Sequence, residues 1–455
     1  MTTKKWDVVI CGAGMAGITA AYHLTVRQGI KNVLLIDERT PLTLTSNKGT
    51  QAYRNWWPGP DDTMVRFINR SIDLLEELAQ QNDNFFQLNR RGYLFLTSNP
   101  AQIASWERTA SEISALGAGP LRRHPGAIAY QPSPTDGFEN IPNGADLLLD
   151  QAQLKQLFPF VTEKVIAGLH IRRAGWFDTN RLGHWLLEQA QAQGAEIWQD
   201  RIERVQLINN RVDTIHLGSG TKLPVGAFVI AAGPYLKPVG ALLGLDIPVF
   251  NELHGKIAFK DHLGITPANV PLMIWDDPVT LSWTEAERAR LAASAQTRWL
   301  LEEFPAGVHF RPRGTTGDLT LLIIWTYQTK IQELVWPPKF DPYYAEILLR
   351  GLAGMIPNLS AYFGQGEQAY VDGGYYCKTR ENRPLIGPLP VAGAFVIGAL
   401  SGFGIMAAQA AGELLAAHIT GNQLPDYASA FSLARYQDPA YQSLLERLDQ
   451  SSGQL

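Results

Sequence analysis

Three glycines, Gly12, Gly14 and Gly17, follow the apolar run Trp6 to Cys11 and open a helical pattern; a second apolar run, Asn32 to Ile36, ends on Asp37. At this spacing Gly12 permits a sharp strand-to-helix turn, Gly14 lets the backbone approach a pyrophosphate, and Gly17 lets the helix pack on the sheet. The N–H groups around Met15 and Ala16, with the positive end of the helix dipole, suit phosphate oxygens. Asp37, with Glu38 beside it, can accept hydrogen bonds from a ribose diol. The chemistry these residues point to is the binding of an adenine dinucleotide.

A second glycine turn near the other end narrows the choice. Residues 393–406 read as a strand, then a turn through Gly402, Phe403 and Gly404, then a helix starting at Ile405 and Met406. A nicotinamide enzyme has no need of such a second turn. A flavin does, because a helix N-terminus facing the ring stabilises negative charge there.

Two further blocks lie between these turns. One is Gly175-Trp176-Phe177-Asp178-Thr179 leading into a helix with Leu182, Trp185, Leu186 and Ala190 on one stripe, where Asp178 or Thr179 is the expected N-cap. The other is Phe228 to Tyr235, a strand running into Ala232 and Gly233, and the segment Thr379 to Gly387 then leads into the second turn. In this order the blocks resemble the D-amino-acid oxidase superfamily, in its glycine oxidase and sarcosine oxidase branch.

The resemblance implies an α/β chain with a Rossmann-like FAD-binding domain of the glutathione reductase type and a second, strand-rich α+β substrate domain. It places Ser46 and Val205 at the cofactor, Val205 by the adenine. It implies oxidation of an amine or N-substituted amino acid by hydride transfer to flavin N5, the imine then hydrolysing in water. The same fold also oxidises 2-hydroxy acids or polyol phosphates, and a respiratory assembly factor shares it.

Departures from the family pattern bear on substrate and linkage. Tyr376 stands where glycine oxidase-like relatives carry the arginine that clamps a carboxylate. Gly374 stands where sarcosine oxidase-like relatives carry the cysteine that bonds the flavin. Ser46-Asn47-Lys48-Gly49 matches a Ser-His-His-Gly segment with both histidines gone. Non-covalent FAD follows. Lys48 is expected beside the flavin ring or on a solvated loop, and Arg54 either near the flavin or as a packing cation among aromatic rings. Lys48, Arg54 and Tyr376 are the candidate catalytic residues. Arg311 and Arg313 read as surface charges or site cations. Trp325 and Tyr327 read as pocket or core, and His254 as a structural or catalytic histidine. The strand Leu319 to Trp325 lacks the lysine with which sarcosine oxidases speed the oxygen reaction, so an electron carrier is the favoured acceptor over oxygen, unless Lys48 or Lys256 substitutes.

These residues need elements to hold them. The helix from Thr63 to Leu78 has Met64, Phe67, Ile68, Ile72, Leu75 and Leu78 on one face. The expected cofactor domain comprises 1–85, 160–248 and 371–425, the substrate domain 86–159 and 249–370, and a helical tail 426–455. The 455 residues carry a net charge of −4, which indicates neither nucleic acid nor an acidic membrane as partner. Two cysteines are too few for a disulfide framework, and no metal-ligand spacing is present. The uncharged stretch Pro384 to Gly412 is long enough for a bilayer, but its prolines and glycine clusters fit a buried segment better. Only five residues precede Trp6, so no leader is read there and a cytoplasmic enzyme acting on a small molecule is expected.

Overall fold

Val8, Val9 and Ile10 are almost fully buried, because the strand Trp6–Cys11 lies inside a parallel sheet covered on both faces. The structure, a computed structural model, describes residues 4–126 and 130–446. That opening strand pairs in parallel with Val33–Asp37 on one side and Lys222–Ile230 on the other. Glu196–Gln199 extends the sheet beyond Val33–Asp37, and Ala394–Gly398 pairs in parallel with Lys222–Ile230. The helices Met15–Tyr22, Thr179–Ala192 and Gly404–Thr420 pack on one face. An antiparallel ribbon, Ile202–Ile208 with Arg211–Leu217, contributes to the apolar cluster on the other. Asp178 caps the middle helix by accepting from the Arg181 N–H, as its position predicts.

The second sheet has nine strands. It runs from Tyr370–Lys378 through Phe250–Lys260, Asp318–Ile324, Val308–Thr315 and Leu272–Trp275 to Tyr93–Thr97. Beyond these come Ala167–Ile171, Ala145–Leu148 and Leu121–His124. Alternate side chains such as Leu94, Phe259 and Phe310 build a separate apolar core under it. Two of its strands, Ala167–Ile171 and Tyr370–Lys378, come from segments that the sequence groups with the cofactor domain. Both lead straight into cofactor blocks, so sequence proximity to those blocks hides their pairing with the second sheet.

The helix Thr63–Gln81 buries the face formed by Met64, Phe67, Ile68, Ile72, Leu75 and Leu78. Short turns at Asp426–Phe431 and Leu433–Gln437, then the helix Pro439–Leu445, form the described part of the tail; its residues 447–455 lie outside the described residues. Arg435 anchors it through a buried ion pair with Glu381 at 2.6 Å. The uncharged stretch from Pro384 is broken into two strands and a helix, and among the described residues no helix is long and apolar enough to cross a membrane.

Candidate functional site

A cleft of about 430 Å³ opens where the two glycine turns meet. Gly12, Gly14, Met15 and Ala16 form its floor. Gly12 has a φ of +114°, and a Cβ there would lie 2.5 Å from the Ala231 carbonyl oxygen, so only glycine fits. Gly17 does not line the cleft. A Cβ on it would sit 2.0 Å from the Gly12 oxygen, so it serves helix packing, as its spacing implies. Gly14 differs: its Cβ would meet only Ser46 Oγ, at 3.2 Å, which leaves the space above it open. As N-cap it brings no side-chain acceptor, and the first turn holds no acid, so the groups that meet the helix's positive end come from outside the helix. Ser46 Oγ accepts from the Met15 N–H at 3.0 Å, and Asp37 accepts from the Ala13 N–H at 2.7 Å. Asp37 and Glu38 both line the cleft.

Gly402, Gly404 and Ile405 supply the opposite end. The turn before them is held in the left-handed region at two residues with side chains, Ala399 (φ 52°) and Ser401 (φ 49°). Helix Gly404–Thr420 then starts with neither a side-chain cap nor an acid in its first turn. Phe403 and Met406 point into the core instead, and Phe403 meets Trp57 edge-on with centroids 4.7 Å apart.

Ala232 and Gly233 line a third side, with Tyr235 close by. Val205 does not reach the cleft. It pairs with Ile215 in the antiparallel ribbon and packs into the core beneath, whereas Ile202, at the start of the same strand, is the lining residue.

The roof comes from the loop Thr45–Gln51 and the strand Tyr370–Lys378. Thr45 Oγ1 donates to the Tyr375 carbonyl at 2.9 Å, and Lys48 forms an ion pair with Asp372 at 2.9 Å. Lys256 Nζ donates to the carbonyls of Gly49 (3.0 Å) and Asn47 (3.3 Å). Burial pulls the Lys256 amine down to about 8, with Asp372 opposing the shift. Lys48 is thus neither a cleft-lining cation nor a solvated loop lysine; it is a clip between loop and sheet. Tyr376 does line the cleft.

Arg54 is buried, with its guanidinium 5.2 Å from the Trp57 ring centre and 5.8 Å from that of Tyr93. It stands behind the Trp57–Phe403 contact and lines a neighbouring cavity. Arg311 is buried rather than a surface charge, donating to the Thr50 carbonyl and lying over Trp176, while Arg313 is exposed. Trp325 and Tyr327 pack with Phe304 and Trp299 in the second core, outside the cleft. His254 hydrogen-bonds Glu252 (3.3 Å) and Thr326 (3.4 Å), and Lys378 donates to the same Glu252 oxygen at 3.0 Å. Among the described residues no group of His, Cys, Asp and Glu could hold a metal ion.

The arrangement fits a long dianionic cofactor. Two helix N-termini with no acid in their first turns face one cleft, Asp37 stands at the end of the second strand, and a methyl group on Gly14 would meet only Ser46 Oγ.

Comparison with known proteins agrees. Sarcosine oxidase subunit beta of Rhizobium meliloti is 23% identical over 269 residues, 58% of this chain and 57% of that protein. Its counterpart from Rhodobacter capsulatus is 27% identical over 106 residues, which is 23% of this chain and a quarter of that protein. The chain therefore matches less than two thirds of either relative's length. The crystal structure of glycine oxidase from Geobacillus kaustophilus superposes with a TM-score of 0.71 at 16% identity, over 95% of this chain and 99% of that one, and shares the fold. The model of the family described as FAD dependent oxidoreductase matches residues 7–418, nearly the whole length. The chain belongs to this FAD dependent oxidoreductase (DAO) family.

Proposed function

We propose that this oxidoreductase acts on an amine or N-substituted amino acid, removing hydride from the carbon that bears nitrogen, with FAD held non-covalently. The observation that carries the reading is the wall at the cleft's substrate-sheet end. Tyr376 lines it, and the buried Arg311 and the half-buried Lys256 hold the carbonyls of the lining residues Thr50 and Gly49. When bound, FAD supplies the two-electron acceptor. Gly12, Gly14, Asp37, Ser46, Gly402 and Gly404 are the residues that would hold it.

The chain's own task is then to seat the substrate and keep its nitrogen neutral. Nearby buried cations disfavour an ammonium ion, so they lower the pKa of an amine that enters. Arg54 is the residue assigned to a substrate carboxylate, because a guanidinium can donate two parallel hydrogen bonds to one. Burial pushes both cleft-lining thiols, Cys11 and Cys377, up to about 12. The thiolate is the form that attacks, so neither suits a covalent flavin link. The relatives' names, sarcosine oxidase and glycine oxidase, support an amino-acid or amine substrate.

Anaerobic bleaching of the bound FAD by a substrate panel tests the proposal. Secondary amines and N-substituted amino acids should bleach it. Bleaching by 2-hydroxy acids alone, or by nothing in the panel, defeats it.

A further inference from the structure

Thr50 and Gln51 line the cofactor cleft, yet the backbone N–H of neither donates to a described residue. The carbonyls beside them are held from behind. Lys256 Nζ donates to the Gly49 oxygen at 3.0 Å, and Arg311 Nε donates to the Thr50 oxygen. Both cations come from strands of the second sheet, and neither lines the cleft. These peptides are trans, so each C=O and the following N–H point to opposite sides. Drawing the Gly49 and Thr50 oxygens back to the sheet therefore turns the Thr50 and Gln51 N–H groups into the cleft.

The hold is closely defined. Gln51 is left-handed (φ 61°), a conformation that a residue with a side chain keeps only where its surroundings enforce it. Its carbonyl accepts from the Phe177 N–H at 3.2 Å and its Oε1 from Arg311 Nη2 at 3.4 Å, so one guanidinium fork spans Thr50 and Gln51. Lys48 directs its charge to Asp372, whereas Lys256 and Arg311 direct theirs to the amide oxygens of Asn47, Gly49, Thr50, Gln51 and Pro312. Two positive charges thus stand behind the pair of donors. We propose that Lys256 and Arg311 are positioning residues, one for each peptide, that present the Thr50 and Gln51 N–H groups to the ring of bound FAD. The assignment rests on FAD binding and on no choice of substrate. Donors so placed favour the ring when reduction makes it more negative, and they raise its potential.

Hydrogen exchange resolved to single amides, with and without FAD, tests this. FAD loading of the wild-type protein should slow exchange at Thr50 and at Gln51 by about 10-fold or more, as for one net hydrogen bond each. Arg311→Lys keeps the charge but loses the fork, and should abolish the protection at Gln51 while leaving that at Thr50. Lys256→Met should do the reverse. Loss of one donor should weaken binding of reduced relative to oxidised FAD about 10-fold, which places the midpoint potential about 30 mV lower. Exchange in the opening strand Trp6–Cys11 reports whether each variant is folded. Three results overturn the proposal: no protection at either amide in the wild type, loss at both amides alike in each folded variant, or an unaltered potential in folded Arg311→Lys. If the amides and the potential behave as expected while no amine bleaches the flavin, the substrate reading fails and the assignment of Lys256 and Arg311 stands.

Discussion

The imidazole of His254 lies flat against the ring of Tyr376, centroids 4.0 Å apart and planes 15° from parallel. The two residues sit on paired strands of the second sheet, and only Tyr376 reaches the cleft. Burial lowers the His254 pKa, with Glu252 opposing, so the ring is neutral near pH 7 and stacks without a charge. Replacing His254 by Ala removes the support behind Tyr376. We expect an increase of about 3- to 10-fold in KM for an amine substrate, as for loss of one aromatic contact of about 1 kcal/mol. His254→Phe should restore the value. If Phe fails to rescue, stacking is not what His254 contributes.

Gly14→Ala and Gly17→Ala should separate cofactor binding from folding. The added methyl at Gly14 meets only Ser46 and projects into the cleft, so the apoprotein should melt normally and bind FAD at least about 10-fold more weakly. At Gly17 the methyl meets the Gly12 carbonyl, so stability itself should fall by about 1–3 kcal/mol. Melting curves of both apoproteins, with FAD titrations, decide the matter. A Gly14→Ala variant with unaltered FAD affinity would falsify the cleft assignment.

Acid precipitation should release all of the FAD into the supernatant. The linkage position Gly374 has no side chain, and Asn47 and Lys48 replace both histidines of the related motif. Yellow colour retained by the washed precipitate is the contrary result.

Arg54→Ala should raise KM about 10- to 100-fold for a substrate bearing a carboxylate and leave an uncharged amine nearly unaffected, because charge-assisted hydrogen bonds are worth about 1.5–3 kcal/mol. Equal losses on both substrates would assign Arg54 to packing between Trp57 and Tyr93 instead.

Lys256 gives the fold a pH dependence of known sign. Its folded pKa, about 8, lies below the ordinary 10.5, so the folded chain carries this charge at a cost below about pH 8. That cost is relieved as pH rises from about 8 towards 10.5, where the unfolded chain still holds the proton. In urea titrations at about pH 7.5 and about pH 10, wild type should gain stability relative to Lys256→Met at the higher pH. Parallel behaviour of the two proteins would show that Lys256 does not titrate there.

The parts of this fold legible in the sequence are those governed by local backbone demands. The two glycine turns, the Asp178 cap and the apolar face of Thr63–Gln81 are each set by a few neighbouring residues, and each stands where its pattern puts it. What escaped depends on tertiary pairing. Val205 and Ile202 are both apolar and lie on one strand, and only the ribbon's register, with its irregularity between Ile202 and Arg204, decides which faces the cleft. Lys48 looks like a free loop cation until Asp372, remote in sequence, is brought beside it. Arg311 has the flanking proline of a surface loop, yet its strand lies inside the second sheet.

The strand Lys222–Ile230 lies between Trp6–Cys11 and Ala394–Gly398, so the two glycine turns become neighbours only when the last of these strands is in place. A nascent chain leaving the ribosome therefore exposes its first phosphate turn long before the second exists. No N-terminal fragment can offer both ends of the cleft, and the pairing that closes it is among the most distant in the chain, the slowest kind to form. Cofactor capture belongs after translation, and until then the apolar residues of Met15–Tyr22 and Lys222–Ile230 lack their burial partners in Gly404–Thr420 and Ala394–Gly398, a surface that invites chaperones or aggregation.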